Sequence, residues 1–222
     1  MSVNERVTAV IVNYQTPDLL RAAAASLRRH YPGLPVLLVD NGSKDESRSA
    51  IASLRDGAPD VVRALLNDAN LHHGPAMDQA LRAAATPYIL FLDSDCQVLH
   101  GGFLEEMVRL LDERSAHYVA GERIFMDRRG FDVAEGVPGA VPYIRPVCML
   151  VRRDLYLTLP PFQLHGAPCL DNMTEAGRRG LQLLDFPVGS SVAHKGRGTA
   201  SRHGYQLGIR GKLNYLLHKL GL

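Results

Sequence analysis

Cysteine is scarce in this sequence: Cys96, Cys148 and Cys169 are odd in number and far apart. Such a set fits neither a disulfide framework nor a CxxC metal site, and three reduced thiols suit a cytoplasmic protein. No apolar run approaches the ~20 residues of a membrane-spanning helix. The opening segment, MSVNERVTAVIVNY, lacks an apolar signal region followed by a small-residue cleavage site, so export is not expected. Charge of one sign is lacking too: the formal net charge is +2, too mild to point to a nucleic-acid partner. Tryptophan, low-complexity tracts and internal repeats are absent.

What is present is ordinary for a soluble globular chain. Hydrophobic residues make up 46% and charged residues 22% of the 222 positions, which excludes disorder as the dominant state. That length is enough for one large domain that buries roughly 70% of the surface its unfolded chain exposes.

The first half alternates short apolar runs with amphipathic stretches. Residues 7–12 (VTAVIV), 36–39, 61–66 and 88–92 (YILFL) read as buried strands. Residues 17–29, 46–55 and 75–85 read as the helices between them, with Thr16 as N-cap and Pro17 at the first helical position, and Ser43 or Asp45 capping the second. Continuous apolar strands separated by helices predict a parallel sheet covered on both faces. The second half is less regular. It reads as a helix over 103–111, short strands over 118–120 and 147–151, a long loop over 127–142, a helix over 172–179 and a strand over 181–186. Residues 205–217 read as a C-terminal helix, and no linker divides the chain.

In open α/β sheets ligands bind beyond the carboxyl ends of the strands. Those ends carry Asn13-Tyr14-Gln15-Thr16, Asp40-Asn41-Gly42-Ser43, Asn67-Asp68 and Asp93-Ser94-Asp95. Crowded carboxylates repel unless a cation or hydrogen-bond donors compensate, and Mg²⁺ or Mn²⁺ takes such oxygen ligands. Alternation along an extended segment points Asp93 and Asp95 to the same side. By itself Asp-x-Asp is equally a cap for the next element, and Asp40 before Asn-Gly is equally a turn former.

Four segments in order carry a resemblance: AVIVNYQTPDLLRAAAASL, LLVDNGSKDES, NDANL and YILFLDSD, the last holding a DxD motif. Together they resemble a family-2 glycosyltransferase of the GT-A fold. The likeness continues weakly through CMLVRRDLY, Asp171 and AHKGRG. It implies an α/β, nucleotide-fold-like GT-A sandwich, with a central, mostly parallel sheet flanked by helices and an irregular acceptor-side second half. It forms one domain over 1–222, with a nucleotide-sugar-binding half (1–100) and an acceptor-binding half with a C-terminal helix (101–222). It implies that Asn13, Tyr14 and Gln15 line the base pocket of a nucleoside-diphosphate-sugar donor and that Asp40 contacts its nucleoside. Asn70 joins that donor site, Asp93 contacts the ribose or sugar, and Asp95 binds a divalent metal, Mn²⁺ or Mg²⁺. The metal neutralises the diphosphate leaving group. Asp171 corresponds to the family's general base, and is equally placed to cap the helix that follows it.

The text departs from the family at His72, where a glycine is usual, at Asp78 in place of asparagine, and at Leu170 in place of the acidic partner of Asp171. The pair His72-His73 reads as packing on the donor site or capping the next helix. His194 resembles a third metal ligand of some GT-A enzymes, and neutral imidazole suits Mn²⁺. Lys195, Arg197 and Arg202 surround it in a glycine-rich segment whose cations can pair with phosphate oxygens, or can simply be solvated. The segment GIRGKLNYLLHKLGL puts Leu213, Leu216, Leu217 and Leu220 on one helical face. That face can dock on the core, pair in a homodimer, or lie on a membrane surface if the acceptor is a lipid-linked sugar.

The expected activity is metal-dependent transfer of a sugar, from a UDP-sugar first of all, to an acceptor hydroxyl with inversion. The expected place is the cytoplasm, peripheral to the inner membrane face if the C-terminal helix binds lipid. The rivals are a nucleotidyltransferase and a non-catalytic nucleotide-sugar-binding homologue. The first would carry a glycine-rich basic loop after the first strand, where this chain has Asn-Tyr-Gln-Thr-Pro-Asp.

Overall fold

A computed structural model describes residues 2–163 and 166–195. Arg197, Arg202 and the predicted C-terminal helix lie outside the described residues, and with them the homodimer and membrane readings of that helix. After a single helical turn, α1 (Val3–Arg6), come β1 (Val7–Asn13), α2 (Pro17–His30), β2 (Val36–Asn41), α3 (Ser47–Asp56), β3 (Val62–Asn67), α4 (His73–Ala83) and β4 (Tyr88–Leu92). Then follow β5 (Cys96–Val98), α5 (Phe103–Asp112), β6 (His117–Met126), β7 (Asp132–Val133), β8 (Val141–Arg152) and α6 (Arg153–Tyr156). The described residues end with α7 (Leu170–Arg178), β9 (Gln182–Asp185), a 3₁₀ turn (Val188–Ser190) and β10 (Val192–His194).

The main sheet has the order β3-β2-β1-β4-β8-β6-β7, with β9 paired to β6. Its first four strands are parallel, β8 runs antiparallel to β4 and β6, and β9 runs parallel to β6. Alternation along each strand divides the core into two layers. Val7, Ala9 and Ile11 of β1, and Tyr88, Leu90 and Leu92 of β4, face a layer shared with Leu20 and Leu27 of α2, Ile51 of α3 and Met107 of α5. Val10, Ile89 and Phe91 face the other, with Met77 and Leu81 of α4 and Met173 of α7. Both faces of the parallel strands are therefore covered, which is why their sequences are apolar throughout rather than alternating.

The four strands and three helices read in the first half fall within a residue or two of their observed bounds, while the short α1 and β5 have no counterpart in that reading. The second half differs. The strands read over 118–120 and 147–151 are the inner parts of two longer ones, ten and twelve residues long, and the expected loop over 127–142 keeps its irregular course apart from the two-residue β7 and the first two residues of β8. The outer arms of the two long strands mix buried and exposed positions and contain Pro142 and Pro146, so neither apolar alternation nor strand propensity marks them. Their crossing depends on Gly121, where the register shifts: a Cβ there would lie 2.6 Å from Ile144 Cγ2 and 2.9 Å from the Cys148 carbonyl. The two expected caps fare differently. Thr16 stands at the N-cap of α2, but its hydroxyl turns to Asn13 instead. The α3 N-terminus is served by Asp45, whose Oδ1 accepts from Ser47 N at 3.0 Å, while Ser43 is used elsewhere.

Candidate active site

Four parallel strands end on one rim, and their last residues are tied to each other. Asn13, at the end of β1, lies opposite Asp40, at the end of β2. The Asp40 carboxylate is wholly enclosed. It accepts from Ser43 N (3.1 Å), Arg48 Nε (3.3 Å) and Asn13 Nδ2 (3.5 Å). Ser43 Oγ in turn accepts the amide of Gln15 at 2.9 Å, and Gln15 takes a left-handed backbone with φ of 55°. Thr16 donates to Asn13 Oδ1 at 2.9 Å and sits 3.2 Å from Ser94 Oγ, so the network runs from the second strand end to the fourth.

A second network holds the next loop. Asn41 Nδ2 donates to Asn70 Oδ1 (3.0 Å) and to the His72 carbonyl (3.1 Å), and Asn41 Oδ1 accepts from Leu71 N (3.1 Å) and Asn67 Nδ2 (3.3 Å). Asn70 Oδ1 also accepts from His72 N at 2.8 Å. Gly42, with φ of 79°, allows the close approach: a Cβ there would fall 2.3 Å from the Ala69 carbonyl carbon. Of the residues expected at the donor site, Asn13, Asp40 and Asn70 are thus engaged by protein partners, while Tyr14 and Gln15 are half-exposed at the end of β1.

Asp93 and Asp95 leave β4 toward the same side, and β10 brings His194 to them. That strand pairs antiparallel with β5, setting His194 opposite Cys96. One ligand atom each from Asp93, Asp95 and His194 lies within 4.8 Å of the others, and His194 Nε2 is 3.2 Å from Asp95 Oδ1. Burial and the neighbouring Asp95 charge push Asp93 up to about 7. The hydrogen bond to Asp95 holds the His194 imidazole above its ordinary value. Two carboxylates and an imidazole that converge, one of them held back from ionising by the other, form a donor set that fits Mn²⁺ or Mg²⁺. Lys195 belongs to this corner through its amide, 3.3 Å from the Asp95 carbonyl. His73 Nε2 approaches Asp93 Oδ1 to 3.8 Å from the other flank, and burial pushes that imidazole down to about 4.

Asp171 is exposed in the first turn of α7, with Cys169 at the N-cap position. It makes no hydrogen bond or ion pair among the described residues, so the cap role is not the one it fills. It lines a cleft of about 740 Å³ together with Arg128, Val141, Pro160 and Arg178. The N-terminus of α7 sits close enough to the metal-compatible cluster for the Asp93 charge to help burial raise the Cys169 thiol. All three cysteines are buried and unpaired, with pKa values pushed upward, so none is a ready nucleophile. Asp78 serves structure: Tyr156 donates to it at 2.6 Å and Arg82 at 3.0 Å, tying α4 to α6.

Sequence reading names Asn41 and Ser94 only within the strand-end segments, without a role, and does not name Arg48. Asn41 could have been found as the residue that follows Asp40 in the turn. Arg48 sits on a helix face, and only its fold-given bonds to Asp40 and to the Asn67 carbonyl (2.6 Å) make it visible. Among the described residues no helix is long and apolar enough to cross a membrane.

The chain belongs to glycosyl transferase family 2, whose model matches residues 8–155. The fold is similar to that of the mannosyltransferase PcManGT from Pyrobaculum calidifontis in complex with GDP-Man and Mn²⁺, at TM-score 0.70 and 19% identity, covering 97% of this chain and 63% of that one. It is similar to glucosyl-3-phosphoglycerate synthase from Mycobacterium tuberculosis, in complex with Mn²⁺, UDP and phosphoglyceric acid, at TM-score 0.62 and 18% identity, covering 98% and 79%. GalNAc-T7 with UDP, GalNAc and Mn²⁺ follows at TM-score 0.69 and 13% identity, covering 85% and 43%. At these identities the likeness carries the GT-A fold. No curated protein matches the sequence.

Proposed function

We propose that this protein transfers a sugar from a nucleoside-diphosphate sugar, a UDP-sugar first of all, to an acceptor hydroxyl with inversion at the anomeric carbon. The observation that carries this reading is the convergence of Asp93, Asp95 and His194 at the end of β4. Asp95 and His194, joined by Asp93, would hold Mn²⁺ or Mg²⁺. A bound cation supplies neutralisation of the diphosphate leaving group.

The remaining roles fall to side chains around that cluster. Tyr14 and Gln15 line the nucleoside pocket directly. Asn13, Asp40 and Asn70 act on the donor through the turns that they hold rigid. Asp93 faces the ribose or sugar. Lys195 and Arg197 pair with the diphosphate oxygens. Asp171 takes the proton from the acceptor hydroxyl as its oxygen bonds to the anomeric carbon. The bond from that carbon to the donor phosphate oxygen breaks with its electron pair going to the phosphate. One in-line displacement with one base gives inversion. The acceptor is a hydroxyl of a lipid-linked or other sugar, and the work is placed in the cytoplasm.

A thermal-shift series with UDP, GDP, dTDP and CMP, each with and without Mn²⁺, tests the donor reading. A ligand bound only to the folded state at a hundredfold excess over Kd stabilises by about 2.7 kcal/mol. A shift with UDP that Mn²⁺ enhances, and that Asp95→Ala removes, is the expected result. Unchanged Mn²⁺ and UDP affinity in Asp95→Ala overturns the metal assignment. A shift with GDP in place of UDP moves the donor to a GDP-sugar.

A further inference from the structure

We propose that His73 is a positioning residue for Asp93, held against that carboxylate by a strained His72 that the Asn41–Asn70 clamp keeps in place. The inference rests on the reading of Asp93 as part of the donor and cation site.

His72 has φ of 70° and ψ of 169°, a region that essentially only glycine occupies without strain. Such a conformation persists only where its surroundings over-determine it. Here they do. Asn41 Nδ2 binds the His72 carbonyl at 3.1 Å, Asn70 Oδ1 accepts its amide at 2.8 Å, and Asn41 is itself bonded to Asn70 at 3.0 Å. On the far side, Gly74 is wedged against the chain: a Cβ there would lie 2.2 Å from the Gln163 carbonyl oxygen. His73 is therefore gripped from both ends, at the first residue of α4, with its ring turned to the rim.

The ring meets Asp93 and stays outside the metal-compatible set. His73 Nε2 is 3.8 Å from Asp93 Oδ1, while the converging ligand atoms are those of Asp93, Asp95 and His194. A small rotation of the ring closes the 3.8 Å gap to hydrogen-bond distance. A ring N–H given to one carboxylate oxygen of Asp93 fixes that side chain's rotamer and leaves the other oxygen for the cluster. Groups that orient a metal-binding carboxylate in this way change metal affinity about 10–100-fold when removed.

Calorimetric Mn²⁺ titration of the nucleotide-free protein tests this, with His73→Leu, His73→Gln and His72→Gly compared at equal thermal stability. His73→Leu fills the volume without an N–H and is expected to weaken Mn²⁺ about tenfold. His73→Gln restores a donor and recovers most of the loss. His72→Gly adopts the same backbone freely but is also free to leave it, and is expected to weaken Mn²⁺ by less than His73→Leu does. The proposal is overturned if His73→Leu binds Mn²⁺ unchanged, if His73→Gln is as weak as His73→Leu, or if His72→Gly is equally weak. An unaltered protein that binds neither Mn²⁺ nor UDP overturns the functional reading instead. The positioning contact is then decided without metal, by long-range ¹⁵N–¹H spectra of the imidazoles. Asp93→Asn is expected to move the His73 ring signals, and unmoved signals overturn the contact.

Discussion

The two sides of the rim treat their polar side chains differently. Around β1, β2 and β3 the residues Asn13, Asp40, Asn41, Asn70 and Thr16 spend their hydrogen bonds on one another, and Gly42 lets the turns approach too closely for a side chain between them. Around β8 and α7 the residues lining the cleft make few such bonds. Asp171 and Arg128 make no hydrogen bond or ion pair among the described residues. A fully satisfied buried network is rigid and intolerant of change, whereas an exposed carboxylate without partners is available to a ligand and cheap to alter. The difference sets a rigid, self-bonded rim on the first side against an open, ligand-accessible one on the second, as the proposed donor and acceptor roles require.

Four measurements sharpen or break that contrast. Asp171→Asn is expected to lower turnover by about 10²–10⁴-fold with donor binding intact, since a general base contributes on that scale. Its folding stability changes by less than about 0.5 kcal/mol, as for an exposed site without partners. Near-normal turnover removes Asp171 as the base, and a large loss of stability breaks the contrast. Asp95→Ala is expected to lower kcat/KM by about 10²–10³-fold, as removal of a single stabiliser of developing charge does.

The next pair compares glycines. Gly42→Ala must drive a Cβ to 2.3 Å from backbone, so a loss of about 3 kcal/mol or more is expected in a denaturant melt. Gly136→Ala, also at positive φ (84°) but with open space around it, should lose only about 1 kcal/mol. Equal losses would show that the second side is as tightly built as the first.

The smallest effect is on pH dependence in metal-free protein. Asp93, raised to about 7 against an ordinary value of 3.8, keeps a proton in the folded state that the unfolded chain has released. Its contribution to stability therefore falls as pH rises from about 4 to about 7. Half-buried His73, lowered to about 4, contributes in the opposite sense up to its ordinary value of 6.5. Melting curves of Asp93→Asn should lose the first trend and keep the second, with a gain of about 1 kcal/mol at pH 8, or 2–4 °C for a chain of this size. An unchanged pH profile would mean that the Asp93 carboxyl is not held back from ionising.

The sequence showed the first side of the rim well because its strands are apolar on both faces and each ends in a short polar segment. Alternation alone put Asp93 and Asp95 on one side, and the structure has them converge. It showed the second side poorly. The outer arms of β6 and β8 mix buried and exposed positions without a period of two and carry Pro142 and Pro146, so nothing in their text separates a paired strand from a loop. Asp40 and Asn70 were legible as rim residues. Whether their polar atoms point to a ligand or to each other was not, because that depends on the distances between strand ends.

The sequence by itself determined the alternation of strands and helices, the family, and which residue types reach the rim. Those follow from local periodicity and from the order of motifs along the chain. The resemblance already paired His194 with Asp95 as metal ligands; only the tertiary structure decided that one ligand atom each from Asp93, Asp95 and His194 lies within 4.8 Å of the others, that Asp40 is enclosed beside Arg48, and that His73 faces Asp93 across a strained His72. Each of these is a contact between segments far apart in sequence or a backbone angle set by such contacts. No local pattern encodes them, since they arise when the sheet register and the packing of β10 on β5 bring the segments together.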